Sequence, residues 1–391
     1  MISLALLPLS GFATDIYIPS LPHMAESLHV TSLQIQVTIS LFLVSYGVSQ
    51  LFIGSVLDSY GRYRIGLVSL ILFSMASLTI GLTQDIAILY AMRIIQGVTT
   101  AGIIAGKRAY FVDVFSGDRL NHFLSLFTII WSTGPIIAPF VGGWLQSAFG
   151  WESNFYFLAI LGAVFALLEF LYNEETLPKR SPFQLRRVVK VYITMLTTRE
   201  FVLGIVMLGV AYSMVMIYNL TGSFIIEHHF QLSVVTAGYC SLILGFAWMA
   251  GGFIGKATIK WPFFRKLAIT NGVQLALGFL MVVSAGWAES IYSLVIFAFL
   301  IHVGAGYIFN IYLTFCLTRF PQNAGVASGL TGGFNFVIVS LLSYGLVNFL
   351  PAKDERNLGY SYLVFIILAA VVLLLAIRER AVRGGLKEMP A

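Results

Sequence analysis

The sequence predicts an all-α membrane protein whose twelve transmembrane helices form two pseudo-symmetric halves of six. Hydrophobic residues make up 58% of the 391-residue chain and charged residues only 10%, whereas a water-soluble protein carries about a quarter charged residues. Apolar stretches recur along the whole chain, and stretches of roughly 20 residues cross a ~30 Å hydrocarbon layer. A short segment that closes the second stretch recurs, in weaker form, at the close of the eighth.

One long polar segment, from Asn173 to Glu200, divides the apolar stretches into two sets of six. We therefore predict an N-terminal bundle at 1–173, a cytoplasmic linker at 174–199 and a C-terminal bundle at 200–391. The predicted spans are 2–21, 33–56, 66–83, 86–106, 120–147, 154–173, 200–226, 233–255, 267–286, 291–316, 324–349 and 360–377.

The basic residues predict the orientation. With both termini in the cytoplasm, 20 of the 23 lysines and arginines fall on the inner side, as the positive-inside rule requires. Lys353 and Arg356 fall outside, and Arg93 lies within a span. The net charge of +6 thus reflects topology and predicts no nucleic-acid partner. Short loops favour a bacterial inner membrane, and we expect a monomer.

Two segments indicate an internal repeat. Phe52-Ile53-Gly54 with Arg64 closes span 2, and Phe253-Ile254-Gly255 with Arg265 closes span 8 at the same spacing. The second copy lacks the aspartate. Any span that ends in glycine and is followed by basic residues would also match, so this alternative stays open. Paired halves around a midplane site are typical of secondary transporters.

A charged turn is predicted between spans 2 and 3. It contains Gly54, Asp58, Gly61, Arg62 and Arg64. Glycine permits a tight turn, and an acid beside basic residues forms ion pairs. We predict that these residues act in gating, with Asp58 as a conformational latch.

A second charged turn, with Lys107, Arg108 and Asp113, is predicted after span 4. We expect Asp113 to pair with a basic neighbour as a gate element.

Span 1 contains the first candidate for energy coupling. It reads Thr14-Asp15-Ile16-Tyr17-Ile18-Pro19-Ser20-Leu21-Pro22. An ionisable residue inside a span costs about 2.5–3.5 kcal/mol on insertion scales, so it usually faces a cavity or a partner. We predict that Asp15 carries the coupling proton. The alternatives are that Asp15 caps a helix broken at Pro19 or lies at the outer mouth.

Span 4 contains Arg93-Ile94-Ile95-Gln96-Gly97. Arginine stays charged at any working pH, so Arg93 cannot carry the proton. It can favour the ionised form of a nearby acid or hold a polar or anionic substrate, and Gln96 can hydrogen-bond across the bundle. Alternatively, Arg93 snorkels toward the outer face, because the span begins only a few residues earlier.

Span 5 combines two prolines and three glycines within ten residues, in the segment Gly134-Pro135-Ile136-Ile137-Ala138-Pro139-Phe140-Val141-Gly142-Gly143. Prolines remove backbone donors and bend a helix, and glycines allow close approach of a neighbouring helix. We predict a kinked gating helix, and a generic tightly packed span remains the alternative.

Four segments together resemble the major facilitator superfamily. The 54–64 turn resembles its signature loop, 93–97 its span-4 motif, and 134–143 the motif that marks its antiporters. The Asp-x-Tyr-x-Pro pattern of span 1 is similar to the bicyclomycin-resistance subgroup of the twelve-span drug:proton antiporters. The resemblance implies the major facilitator fold and a contact of Asp58 with the start of span 11, near Asn323 and Gly325.

The resemblance also implies which spans line a substrate pathway. On those spans lie aromatic residues suited to a broad apolar pocket, namely Tyr17, Tyr46, Trp131, Tyr218, Tyr307 and Phe334. Asn219, Asn310 and Asn335 either line the cavity or join helices. His302 is either a hydrogen-bonded core residue or a proton relay.

Other charged residues receive structural interpretations. We read Glu227-His228-His229 as a solvated loop rather than a metal site, and we expect Glu169 to reach lipid headgroups. Cys240 and Cys316 lie in apolar runs and are interpreted as packing residues.

The predicted function is proton-coupled export of small amphipathic compounds by alternating access, with protons as the coupling ion and no other cofactor. The alternative is a dedicated metabolite or siderophore transporter on the same fold. A membrane enzyme is not expected, because the sequence contains no Gly-x-Ser-x-Gly, His-Glu-x-x-His or phosphate-loop motif.

Overall fold

The computed structural model describes residues 2–177, 185–320 and 324–382, and helix is the only regular structure in these ranges. Twelve helical segments among them are long and apolar enough to cross a membrane, one for each predicted span. They are Ile2–Ser27, Ser32–Tyr60, Arg62–Leu82, Ile86–Val114, Gly117–Phe149, Glu152–Tyr172, Arg199–His229, Val234–Ala257, Phe263–Ser284, Ile291–Thr318, Gly325–Phe349 and Glu355–Ala381, numbered here as spans 1 to 12.

Span 1 is not a continuous helix. It consists of the α-helical pieces Ile2–Ala5, Leu9–Asp15 and Leu21–Ser27, with a 3₁₀ turn at Ile18–Ser20. Pro19 explains the break, because its ring nitrogen cannot donate to the carbonyl of the residue four positions earlier. That residue is Asp15, where the second piece ends. The span also runs to Ser27 rather than to the predicted 21.

The predicted charged turn between spans 2 and 3 is a single residue. Helix continues to Tyr60 and resumes at Arg62, so Gly54 and Asp58 are helical. Between these two helices, Gly61 adopts a positive φ of 101°, which an L side chain rarely tolerates. A Cβ at Gly54 would meet nothing, so the expectation that Gly54 serves a tight turn is wrong.

The predicted second charged turn is also wrong. Lys107, Arg108 and Asp113 lie on the helix of span 4, which continues to Val114. The predicted span ended at residue 106, immediately before Lys107 and Arg108. Charged side chains in the last turns of a span can reach the interface or a partner without ending the helix.

The chain divides into two compact units. Unit 1 comprises Met1–Val188 with Ser233–Leu242, and unit 2 comprises Val189–Leu232 with Ile243–Ala391. The first residues of span 8 therefore group with unit 1, where the ring of Tyr239 lies 5.0 Å from that of Phe140 on span 5. The predicted bounds of the two bundles and linker stay predictions.

Two helical features were absent from the predictions. A helix at Leu185–Leu196 lies within the predicted linker. Span 7 is α-helical over Arg199–Phe224 and ends in a π-helical turn at Ile225–His229. The interpretation of Glu227-His228-His229 as a loop is therefore wrong, although His228 and His229 are exposed. The Nε2 of His229 lies 3.0 Å from the Oε1 of Glu289, so these residues form an ion pair when the histidine is protonated.

Candidate functional site

Asp15 lies at the break in span 1 and is buried, with 3% of its surface exposed. The two helical pieces that follow it begin after Tyr17 and Ser20, so Asp15 caps neither of them. The capping alternative is therefore wrong, while the outer-mouth alternative and the coupling role both stay untested.

Arg93 is completely buried, with an exposed fraction of 0%, so the snorkelling alternative is wrong. Its Nη1 donates to the carbonyl oxygen of Ala13 at 3.0 Å and to the Oε1 of Gln96 at 2.6 Å. Its Nε donates to the carbonyl oxygen of Thr38 at 3.3 Å. Arg93 therefore joins the backbones of spans 1 and 2 to span 4.

Two aromatic rings complete the environment of Arg93. The guanidinium carbon lies 4.6 Å from the ring centroid of Tyr17 and 4.4 Å from that of Phe42. A cation over aromatic faces is attracted by the ring quadrupole, most strongly where water is excluded. The positive charge of Arg93 also acts electrostatically on the carboxyl group of Asp15. The arrangement holds a permanent positive charge beside a buried carboxyl group.

Hydrogen bonds extend this cluster to spans 2 and 3. The hydroxyl of Tyr17 lies 3.0 Å from the Oγ1 of Thr38. The Nε2 of Gln96 donates to the Oγ of Ser77 at 2.7 Å, which confirms the predicted hydrogen bond of Gln96 across the bundle. We call Asp15, Tyr17, Thr38, Phe42, Ser77, Arg93 and Gln96 the span-1 cluster.

The proline- and glycine-rich segment of span 5 packs directly against span 1. A Cβ at Gly142 would overlap the carbonyl oxygen of Ile16, the residue after Asp15. A Cβ at Gly134 would overlap the backbone of Pro8, two helical turns earlier. Pro135 and Pro139 lie inside the span-5 helix, which runs without interruption from Gly117 to Phe149.

The other side of span 5 meets the start of span 8. A Cβ at Gly143 would lie 3.0 Å from the carbonyl oxygen of Val234, and a Cβ at Gly238 would lie 2.9 Å from that of Pro139. The segment thus makes close contacts on two sides. This geometry accounts for its small residues, and its gating role stays a prediction.

The residues of the predicted gate form an ionic cluster at one end of unit 1. Arg62 pairs with Asp113 and, through Nη2 at 3.3 Å, with Asp58. The backbone nitrogen of Arg62 donates to the Oε1 of Glu175 at 2.9 Å. Arg64 is exposed. Asp113 therefore has the basic neighbour that was predicted, whereas Asn323, expected near Asp58, lies outside the described residues.

A second ion pair is buried nearby. Lys107 pairs with Glu169, and the two side chains are 6% and 4% exposed. The Nδ2 of Asn173 donates to the other carboxylate oxygen of Glu169 at 2.7 Å. The expectation that Glu169 reaches lipid headgroups is wrong, because its carboxylate is buried and paired with Lys107.

In unit 2, His302 is completely buried between aromatic residues. Its Nε2 lies 3.0 Å from the hydroxyl of Tyr362, and its ring meets those of Tyr218 and Tyr362 edge-on, at centroid distances of 5.9 Å. Gln274 from span 9 donates to the carbonyl oxygen of Ile301 at 2.9 Å. The geometry agrees with the hydrogen-bonded core interpretation, and the relay role stays untested.

His302 and Arg93 occupy related places in their units. Gly97 follows Arg93 by four residues, and a Cβ there would press on the span-2 backbone at Phe42 and Tyr46. Gly306 follows His302 by four residues, and a Cβ there would press on the span-8 backbone at Trp248. Both units therefore place a buried basic residue one turn before a close helix crossing.

The remaining predicted cavity residues are distributed over both units. The Nδ2 of Asn310 donates to the carbonyl oxygen of Gly306 at 2.8 Å, and the hydroxyl of Tyr307 lies 2.8 Å from that of Thr258. Tyr46, Tyr218, Tyr307 and Asn335 are buried, and Trp131, Asn219, Asn310 and Phe334 are half-buried. Their assignment to a substrate cavity stays a prediction.

Sequence reasoning missed Thr38, Phe42, Ser77 and Glu175. Serine, threonine and phenylalanine occur in most of these spans, so no local pattern distinguishes the members of the cluster. For Thr38 and Phe42, the four-residue spacing on one helix face is the available signal.

The profile described as Major Facilitator Superfamily matches residues 5–344. This chain belongs to the major facilitator superfamily. It is therefore a membrane transporter and not an enzyme, and its twelve candidate spans make it a multi-pass membrane protein.

Relatives within the superfamily include two bacterial proteins. Multidrug resistance protein D of Escherichia coli is 27% identical over 90% of this chain and 89% of its own length. A bicyclomycin resistance protein homolog of Haemophilus influenzae is 25% identical over 87% of this chain and 85% of its own length. Among solved structures, a single-residue mutant of the nucleoside transporter NupG covers 97% of this chain and 99% of its own, with a TM-score of 0.70 at 13% identity. That likeness supports the fold alone.

Proposed function

We propose that this transporter exports small amphipathic compounds in exchange for protons and that Asp15 carries the proton. The observation behind the proposal is the span-1 cluster, in which a buried carboxyl group lies beside a buried arginine at a helix break. The names of the two bacterial relatives, multidrug resistance and bicyclomycin resistance, support drug-like cargo. They do not favour the metabolite or siderophore alternative.

The residues of the cluster have separate roles in this proposal. Asp15 alternates between charged and neutral forms, binding a proton from outside and releasing it inside, which permits substrate to bind. Arg93 stays charged throughout and stabilises the ionised form of Asp15. Tyr17 and Phe42 exclude water from the guanidinium, which strengthens this attraction.

The close packing of span 5 on span 1 gives the proton a mechanical consequence. Gly142 touches the backbone immediately after Asp15. A change of charge at Asp15 alters the forces on a span-1 segment that lies against a proline-containing helix. We propose that this contact couples protonation to gating in a protein of the bacterial inner membrane that works as a monomer with both termini in the cytoplasm.

The test is substitution of Asp15 by Asn in proteoliposomes. We expect Asp15→Asn to abolish transport driven by a pH gradient, because the amide cannot exchange a proton, while folding persists. Glu26→Gln is the matched control, since Glu26 lies on the same span but is exposed. Undiminished pH-driven transport by Asp15→Asn would reject the assignment.

A further inference from the structure

The linker helix, Leu185–Leu196, is strongly two-sided. At 3.6 residues per turn, its polar positions share one side, and its apolar positions share the other. The polar positions are Arg186, Arg187, Lys190 and Thr194. Such a separation, with basic residues along the polar side, is typical of helices that lie in a membrane interface.

Only part of the apolar side is covered by protein. Met195 is 1% exposed and Tyr192 is half-buried. The uncovered flank consists of Val189, Ile193 and Leu196, which are 39%, 58% and 36% exposed. One flank of the helix therefore packs on the protein, while an apolar flank remains uncovered beside the exposed Lys190.

Chain connectivity holds this helix at the membrane boundary. It ends at Leu196, and span 7 begins at Arg199. The two intervening residues reach only about 7 Å when extended. The uncovered apolar flank therefore lies close to the point where the chain enters the hydrocarbon layer.

The segment also carries charge of one sign only. Residues 178–199 contain six basic residues and no acidic one. Arg199 is engaged by Glu379, at 3.4 Å. The Tyr192 hydroxyl, whose pKa is raised to about 12 by burial, is uncharged at neutral pH as an ordinary tyrosine is. A segment of this charge complements anionic phospholipid headgroups, each basic residue adding to the attraction.

We propose that the linker helix is an anchor for anionic phospholipid. Val189, Ile193 and Leu196 enter the boundary between headgroups and acyl chains, and the basic positions bind lipid phosphates. The anchor fixes the segment that joins span 6 to span 7. The inference concerns lipid rather than cargo, so it stands or falls independently of the proposed export function.

The test measures the depth of the helix in nanodiscs that contain phosphatidylcholine with or without phosphatidylglycerol. Cys240 and Cys316 are buried and can be replaced by Ala, so that a nitroxide reports on Ile193→Cys or on Thr194→Cys in the full chain. We expect the nitroxide at 193 to be accessible to molecular oxygen dissolved in the membrane and inaccessible to a water-soluble nickel reagent. The label at 194 should show the reverse.

The charge requirement is tested by the triple variant Arg186→Gln, Arg187→Gln, Lys190→Gln. We expect its affinity for phosphatidylglycerol in detergent to fall about tenfold or more, because three headgroup attractions are lost. Lys353→Gln, at an exposed position in the connection before span 12, is the matched control and should change nothing.

Three results would overturn the proposal. Nickel access at 193 as high as that at 194 would place the apolar flank in water. An unchanged preference of the triple variant for phosphatidylglycerol would remove the role of charge. Shielding at 193 that appears only as protein concentration rises would identify a second copy of the chain as the partner. None of these measurements involves transport.

Discussion

At the scale of single residues, Arg93 organises the N-terminal site. A buried guanidinium needs several acceptors, because leaving a charged donor unsatisfied in a dry environment is costly. Two backbone carbonyls and one side-chain amide accept from its Nε and Nη1, and two aromatic rings flank it, whereas the buried Nη2 has no hydrogen-bond acceptor among the described residues. The fit depends on the planar, forked shape of arginine as well as on its charge.

Replacing Arg93 by Lys should therefore disable the site although the charge is kept. A lysine ammonium cannot reach the same acceptors with the same geometry. We expect pH-driven transport to fall at least tenfold. A tenfold fall corresponds to about 1.4 kcal/mol, which is less than the contribution of one hydrogen bond to a charged group. Arg119→Lys, at an exposed position, is the control and should transport normally. Normal coupling by Arg93→Lys would show that charge alone suffices.

Substitutions at Tyr17 separate its two contributions. Tyr17→Phe removes the hydroxyl contact with Thr38 but keeps the ring over Arg93, so stability should fall by about 0.5–1.5 kcal/mol. Tyr17→Leu also removes the cation–π contact and should cost more. The free energy of unfolding of each variant measures the difference. An equal loss in both would mean that the ring contributes nothing beyond its bulk.

The sequence identified part of this site for a physical reason. Asp15, Arg93 and Gln96 are conspicuous because ionisable and amide side chains are expensive inside a span. Thr38, Phe42 and Ser77 are ordinary residues in a membrane helix, and only packing reveals that they join the cluster. Burial of Arg93 was equally hidden, because a sequence position near the end of a span is compatible with snorkelling.

At the scale of helices, span 5 depends on small residues where it crosses span 1. Gly142→Ala should destabilise the protein by about 1–3 kcal/mol, because the new methyl group overlaps the backbone at Ile16. Gly272→Ala is the matched control, since that glycine also lies inside a span but has open space around it. There the better helix propensity of alanine should leave stability equal or higher. Thermal unfolding in detergent compares the two, and equal midpoints would contradict the crossing.

The buried pair between spans 4 and 6 provides a second helix-scale prediction. Lys107→Gln should cost about 3–5 kcal/mol, because Glu169 would remain buried without its partner. Replacing both residues by Met should cost much less, since neither charge is then left behind. Unfolding measurements on the single and double variants test this order. A double variant as unstable as the single one would mean that the ion pair itself is indispensable.

Helices were predictable in number but not in detail. Apolar length alone located all twelve spans, because the bilayer sets that length. The break in span 1 at Pro19 was predicted only as one alternative, since three prolines lie between positions 8 and 22 and only Pro19 ends a helix at Asp15. The linker helix was not predicted, because the composition of its basic residues and their neighbours indicates a polar connecting segment rather than a helix with one polar and one apolar side.

At the scale of the whole chain, charge distribution predicts orientation. A fluorescent protein fused after the last residue should be bright, because the C-terminus is predicted to lie in the cytoplasm. A periplasm-dependent phosphatase inserted at Lys353 should be active and the same enzyme at Lys260 inactive. Fluorescence and phosphatase activity, both measured in intact cells, test this orientation. Phosphatase activity at Lys260 with none at Lys353 would show that the orientation is the opposite of the predicted one.

The repeat is better supported by the structure than by the sequence. The match of 54–64 with 255–265 rests on a few residues, and its second copy lacks the aspartate. The close crossings at Gly97 and Gly306, each four residues after a buried basic side chain, relate spans 4 and 10 through packing.

The bond from Arg93 to the carbonyl oxygen of Ala13 links one side chain to the continuity of a whole helix. In an unbroken α-helix that oxygen would accept from the amide of Tyr17. Arg93 therefore donates to an oxygen that a continuous helix would use for its own backbone. Straightening span 1 through residues 13–17 would bring the Tyr17 amide to the same oxygen, which accepts both donors only by using both of its lone pairs. The side chain of Arg93 and the backbone conformation around Asp15 are thus linked through one atom.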